Sequence, residues 1–199
     1  MLTISNLTYH IANKGYLFQN VTLSVQPGEI VGLTGHSGIG KSTFAKVVAG
    51  YLTPDEGTIN RVQNKRQPHP VQLIWQHPEQ AVNPKWRIKK VLEEAGPIDD
   101  EWLERLQIHS SWLKRFPDQL SGGELQRICI ARCLMTRPDF IIADEITTML
   151  DPITQADIWD VLRQIAKTES IGILAISHHY ELLERLTDRT LSFETLSKK

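Results

Sequence analysis

Apolar and polar positions alternate with period two through Val21, Leu23 and Val25, as a half-buried strand requires, and Leu2, Ile4 and Leu7 form a looser run of the same kind. Farther along, the apolar runs become continuous: Ile30-Val31-Gly32-Leu33, then residues 71–75, 140–143 and 171–176. Short unbroken runs of this kind, bounded by turn residues, predict strands buried on both faces. Helical spacing is predicted over 41–51, 124–135, 154–168 and 180–186, with a last short strand at 190–193. Pro27-Gly28 and Pro54-Asp55-Glu56-Gly57 mark turns, the second leading into a short strand at Thr58-Ile59-Asn60. Strands alternating with helices predict an α/β protein with a mostly parallel sheet covered on both faces.

Residues 84–117 differ in character. Trp86, Trp102 and Trp112 stand among repeated Lys and Arg, and short helical patterns such as Trp102-Leu103-Glu104-Arg105-Leu106 replace the strands. This predicts a helical insert on the α/β core, with the tryptophans as packing anchors. The 199 residues fit one domain, 1–199, whose helical subdomain spans about 84–135. A formal net charge of -1 gives no bulk electrostatic reason for nucleic acid as a partner. Cys129 and Cys133, four apart in a predicted helix, read as reduced packing residues rather than a disulfide or metal pair. No stretch resembles a signal peptide, and no apolar run reaches the roughly 20 residues that span a bilayer. Any engagement with a membrane is therefore expected to be peripheral.

The chemistry begins at Gly35-His36-Ser37-Gly38-Ile39-Gly40-Lys41-Ser42, between a buried strand and a helix. A triphosphate packs several negative charges together. Gly35, Gly38 and Gly40 let the backbone turn tightly enough to aim successive N–H groups at the β-phosphate, and the helix start adds free amides and the positive end of its dipole. Lys41 supplies a point charge between the β- and γ-phosphates, the Ser42 hydroxyl a ligand for Mg²⁺, and Thr43 an α-phosphate contact. Asp144 ends an apolar strand, where a carboxylate can support Mg²⁺, and Glu145 beside it is a candidate general base or water-orienting group. A glycine-rich turn without a ligand would explain the glycines but not the Lys-Ser that follows them.

A second glycine turn, Leu120-Ser121-Gly122-Gly123-Glu124, continues into Gln126-Arg127. With it the chain resembles, over essentially its whole length, the nucleotide-binding subunit of ATP-binding-cassette (ABC) transporters. That resemblance implies a P-loop NTPase core with an N-terminal antiparallel β subdomain and the helical insert. It implies that Leu120, Ser121, Gly122, Gly123 and Glu124 are the signature, facing the γ-phosphate of ATP bound to another subunit. It also implies that Gln76 senses Mg²⁺ and the attacking water, that Asp151 crosses the dimer interface, that His178 contacts the γ-phosphate, and that Glu145 is the catalytic glutamate. The adenine-stacking aromatic is Tyr16 or Tyr9, flanking the loop at 10–15, with Tyr16 preferred. Two departures stand out: Ile146 replaces the family's proline and Met149 a small residue in Asp144-Glu145-Ile146-Thr147-Thr148-Met149-Leu150-Asp151. Most members continue past the last strand, whereas this sequence stops at Lys199, so no accessory regulatory domain is expected.

Residues 76–86, Gln-His-Pro-Glu-Gln-Ala-Val-Asn-Pro-Lys-Trp, resemble the corresponding segment of peptide/nickel-type importers, a group that includes uptake systems for opine-type metallophore complexes. The resemblance implies ATP and Mg²⁺ as cofactors and a second cassette subunit as partner, a heterodimer being favoured and a homodimer open. It further implies two transmembrane permease subunits, an extracytoplasmic solute-binding protein at system level, and a peripheral position on the cytoplasmic face of the membrane. Solute and direction stay open. The rival readings are a soluble ABC ATPase uncoupled from transport, which lacks here its usual coiled-coil insertion or tandem cassette, and a non-catalytic regulatory cassette, which usually loses the equivalents of Lys41, Glu145 or His178.

Overall fold

The computed structural model describes residues 1–12, 15–61 and 70–197; Asn13 and Lys14 of the loop at 10–15, and Lys199, lie outside them. β1 (Leu2–Ile11) and β2 (Gly15–Val25) pair antiparallel, in a register that sets Leu2 opposite Val25, Ile4 opposite Leu23 and Leu7 opposite Val21. The apolar positions of the two period-two runs thus meet directly, and all six are buried. β4 (Glu56–Arg61) joins the other side of β1 to give the antiparallel order β2-β1-β4.

The second sheet contains β3 (Ile30–Thr34), β5 (Val71–Ile74), β6 (Phe140–Asp144), β7 (Gly172–Ile176) and β8 (Arg189–Ser192), in the order β5-β6-β7-β3-β8 with every pairing parallel. β6 and β7 are buried at every position, which is why their sequences are unbroken apolar runs. Because all five strands run the same way, their C-terminal ends share one edge. That edge receives the loop after β3, Gln76 after β5, Asp144 and Glu145 from β6, His178 after β7, and the turn after β8.

α1 (Lys41–Val48) is shorter than the 41–51 expected. Gly50 adopts φ +86°, and the Tyr51 and Gly50 amides donate back to Lys46 O (2.8 Å) and Val47 O (3.0 Å), a glycine-terminated Schellman end. The last strand also stops earlier than expected. Ser192 caps a helical turn, α7 (Phe193–Leu196), and Phe193 is fully buried against Phe18 and Phe44. The insert forms α2 (Ile88–Glu93), α3 (Asp100–Arg105), two 3₁₀ turns (Ser110–Lys114 and Pro117–Gln119) and α4 (Gly122–Met135). Ile88, Val91, Leu92, Leu106 and Ile128 join its core to that of the sheet through Ile74 and Ala143. Trp86, Trp102 and Trp112 pack partly buried against this core, with Lys90 over Trp86 and Arg105 over Trp102, the anchoring role the sequence suggested. α5 (Pro152–Glu169) and α6 (Tyr180–Leu186) complete the layers. Among the described residues no helix is long and apolar enough to cross a membrane.

Candidate functional site

The loop between β3 and α1 is built by glycine conformations. Gly38 has φ +80° and Gly40 φ +113°, and a Cβ on Gly40 would lie 2.8 Å from Cγ of Leu17 in β2. No side chain fits there. Lys41 opens α1 at 5% exposure and turns its ammonium into the loop, donating to Gly35 O (2.6 Å) and His36 O (2.9 Å). His36, Ser37 and Gly38 are exposed, Ile39 packs against the core beneath, and Thr43 is half-buried in the first turn of α1. An exposed curve of amides over a buried cation is an anion-binding surface.

Ser42, next to Lys41, hydrogen-bonds to Asp144. Asp144 is 7% exposed, and its Oδ1 is buried with no partner. Burial pushes the Asp144 carboxyl above its ordinary pKa, with Glu145 raising it further, while Ser42, Lys41 and Lys46 pull the other way. A hydroxyl and a carboxylate with one orphaned oxygen form a hard-oxygen donor set that suits a small divalent cation such as Mg²⁺.

Glu145 departs from the strand geometry of β6, with φ +51°. A non-glycine residue held there costs of order 1–3 kcal/mol, so the surroundings must enforce it. Glu145 N–H donates to Ile176 O (2.9 Å), and Thr148 returns both its amide and its hydroxyl to Glu145 O (3.2 and 3.0 Å). The result aims the carboxylate between two neighbours: Gln76 Nε2 donates to Oε2 at 3.1 Å, and His178 Nδ1 lies 3.0 Å from Oε1. Three residues separated by 69 and 33 positions therefore form one connected group. They line a cavity of about 810 Å³ together with Gly35, His36 and Ser37. Thr34, Tyr180, Ser192 and Glu194 also line it and carry no motif signal in the sequence.

The second glycine turn lies elsewhere. Ser121 caps α4: its Oγ accepts the Glu124 amide (3.3 Å), and the Glu124 carboxylate accepts the Ser121 amide (2.7 Å), a reciprocal capping box. Ser121, Gly122, Gly123 and Glu124 border a separate cavity of about 370 Å³ with Met149, Leu150 and Asp151, while Leu120 is half-buried against the helical core. Asp151 caps α5, accepting from the amides of Ile153 and Thr154 and from the Thr154 hydroxyl; these bonds, the hydroxyl first, hold its carboxyl below the usual range. Ile146 is buried in the core, whereas Met149 is 71% exposed at the rim of this cavity. Tyr16 is 56% exposed, edge-on to His10 at 5.7 Å, on the strand whose Leu17 abuts Gly40; Tyr9 instead stacks on buried Phe18. Cys129 and Cys133 are free and buried, which pushes their thiols up to about 11 and about 12.

The ABC transporter family description matches residues 18–148, which hold the phosphate loop, the second glycine turn and Asp144-Glu145. This chain belongs to the ABC transporter family. The nickel import ATP-binding protein NikE of Escherichia coli O6:K15:H31 is 32% identical to it over 221 aligned positions, covering 96% of this chain and 82% of NikE. NikE of Shigella boydii serotype 4 matches to the same extent. Since 221 positions exceed the 199 residues here, these relatives carry insertions relative to this more compact cassette. A bacterial ABC transporter cassette solved as a dimer superposes with a TM-score of 0.81 at 23% identity, over 97% of this chain and 95% of that one. CbiO1 of Clostridium perfringens, part of the CbiONQ transporter complex, gives 0.82 at 22% identity, over 96% and 83%. These two share its fold. The chain is an ATP-binding cassette of a family of ATPases.

Proposed function

We propose that this cassette binds and hydrolyses ATP to energise a membrane importer for nickel, metal–metallophore complexes or peptides. The observation that carries the proposal is the Gln76–Glu145–His178 group, held by two hydrogen bonds and facing the phosphate loop across one cavity. The loop amides and Lys41 bind the phosphates. Glu145 takes a proton from, or orients, the attacking water, and His178 and Gln76 hold its two oxygens in place. Tyr16, beside the loop, stacks on adenine. Mg²⁺ would be held by Ser42, Asp144 and Gln76, and would neutralise phosphate charge. In this reading the chain is one nucleotide-binding domain whose helical subdomain, about 84–135, transmits closure to the permease.

The nickel side of the proposal draws on the NikE relatives and on the segment at 76–86. Its partners are a second cassette, in a heterodimer or homodimer, two permease subunits at the cytoplasmic face of the membrane, and a solute-binding protein beyond it. Signature residues 121–124 and Asp151 border a cavity other than the one at the phosphate loop, with Leu120 packed behind them, an arrangement suited to closing over ATP held by the partner.

Lys41→Ala tests the nucleotide site. Removing a desolvated charge partner weakens Mg-ATP binding by roughly 2 kcal/mol or more, about 30-fold, with the circular dichroism spectrum unchanged. Titration calorimetry reads this, and wild-type affinity in folded mutant protein would overturn the assignment of Lys41.

Asp144→Asn separates stability from function. A carboxyl whose folded pKa is raised adds stability below its unfolded pKa and loses it as pH rises through the folded value. Above its unfolded pKa the buried, under-bonded Asp144 carboxyl is therefore a cost to the nucleotide-free fold. The Asn variant is expected to melt about 2–4 °C higher at pH 7, with the gap closing in acid, while turnover in the assembled complex falls by about two orders of magnitude. A lower melting temperature at pH 7 would contradict the electrostatic account.

A further inference from the structure

Glu194 belongs to none of the motifs that carry the family resemblance, yet it touches the phosphate loop. β8 pairs with β3, Thr34 opposite Ser192, so the turn after β8 emerges beside the loop after β3. Phe193 is driven into the core between Phe18 and Phe44, which fixes the residue that follows it. Glu194 Oε1 accepts the His36 amide at 2.8 Å, and Oε2 accepts the Ser192 hydroxyl at 2.8 Å. A Cβ on Gly35 would lie 3.3 Å from both carboxylate oxygens. Burial works against the charged form, but the bonds from His36, from its own amide and from Ser192 outweigh it and hold the carboxyl below its ordinary pKa. The His36 ring, 3.9 Å away with a side chain 93% exposed, adds little.

A carboxylate lining an anion-binding cavity is at first sight misplaced, since it repels phosphate. Relative magnitudes resolve this. Glu194 is exposed, so water screens it: repulsion between unit charges about 4 Å apart in water is worth about five-fold in affinity, and fixing even one flexible backbone residue beforehand is worth roughly five- to thirty-fold. The loop it holds contains Gly35, Gly38 and Gly40, the residues with the most freedom to lose. We propose that Glu194 is a positioning residue for nucleotide binding: by holding the His36 amide it fixes the first turn of the phosphate loop, so that the amides beyond converge on the phosphates. The proposal rests on the reading of that loop as the ATP site.

The test compares Glu194→Ala, Glu194→Gln and Lys41→Ala by Mg-ATP titration of the purified chain, by ATP KM and kcat of the assembled complex, and by nucleotide-free melting. Glu194→Ala is expected to raise Kd and KM about ten-fold with kcat within about two-fold, because the loop and not the water-activating group is loosened. Glu194→Gln keeps a carbonyl oxygen for the His36 amide and is expected to stay within about three-fold of the parent. An unchanged or tighter Kd in Glu194→Ala overturns the proposal, including when its melting temperature falls, which would make the contact merely structural. A Gln variant as impaired as the Ala variant overturns it as well, since charge and not loop geometry would then be at work. Failure of the underlying ATP reading shows separately, as an unaffected Kd in Lys41→Ala.

Discussion

Glu145→Gln is expected to lower ATP turnover in the assembled complex at least about 100-fold while ATP affinity stays within about three-fold of the parent. General-base assistance is worth roughly 10²–10⁴ in rate, and the substitution removes that capacity alone. The side chain keeps its length, and an amide can still meet both neighbours: its oxygen accepts one hydrogen bond and its NH₂ donates the other, with Gln76 or the His178 tautomer adjusting. The backbone at φ +51° is held by bonds from Thr148 and to Ile176 that the substitution does not touch. Loss of kcat without loss of binding is therefore the signature, and the ATP-bound state should accumulate. Steady-state hydrolysis beside an equilibrium nucleotide titration checks it. Turnover near the parent rate would mean that another group handles the water.

The second large effect is expected at the signature. Gly122 has an ordinary φ, and a Cβ there would meet only Leu150 Cδ2, at 3.6 Å, an ordinary contact. It opens α4, where an aspartate suits the helix dipole. Gly122→Asp should therefore fold normally and bind ATP at its own phosphate loop with little change. Gly123 is the wrong choice for such a probe, because its Cβ would lie 2.8 Å from Thr154 Cγ2 and would displace the side chain whose hydroxyl bonds Asp151. What Gly122→Asp should lose is closure over a γ-phosphate presented by the partner, where a carboxylate meets a concentrated negative charge in a partly dry seam. When both cassettes carry the change, nucleotide-driven association and transport should fall to background.

Most of this architecture was legible because it is local. Continuous apolar runs at Phe140–Asp144 and Gly172–Ile176 encode buried parallel strands, and the facing of Ile4 with Leu23 follows from matching period-two patterns. Asp151-Pro152 and the Ser121–Glu124 capping box are local start signals too, yet the expected helices began two residues late, at 154 and 124, because the apolar spacing outweighed the caps. The Schellman end at Gly50 was also a local signal, but one that an apolar run continuing to Leu52 concealed. The convergence of Gln76, Glu145 and His178 was available only through the family resemblance, since nothing in the neighbourhood of Gln76 reports a partner 69 residues away. Glu194 was illegible by either route. Its contact with His36, across 158 residues of chain, depends on β8 pairing beside β3. Parallel pairing leaves no turn between the paired strands to read.

A complete ATP site in this proposal takes its phosphate loop from one cassette and its signature from the other. The direct measurement is photolabelling with an azido-ATP analogue in the assembled complex, scoring nucleotide trapped at each cassette's phosphate loop when only this chain carries Gly122→Asp. If the partner is a second copy, one epitope-tagged mutant protomer per complex serves the same purpose. A shared site predicts that trapping is lost at the partner's phosphate loop and persists at the loop containing Lys41. Loss confined to the loop containing Lys41, or trapping and association unchanged at both loops, would contradict it.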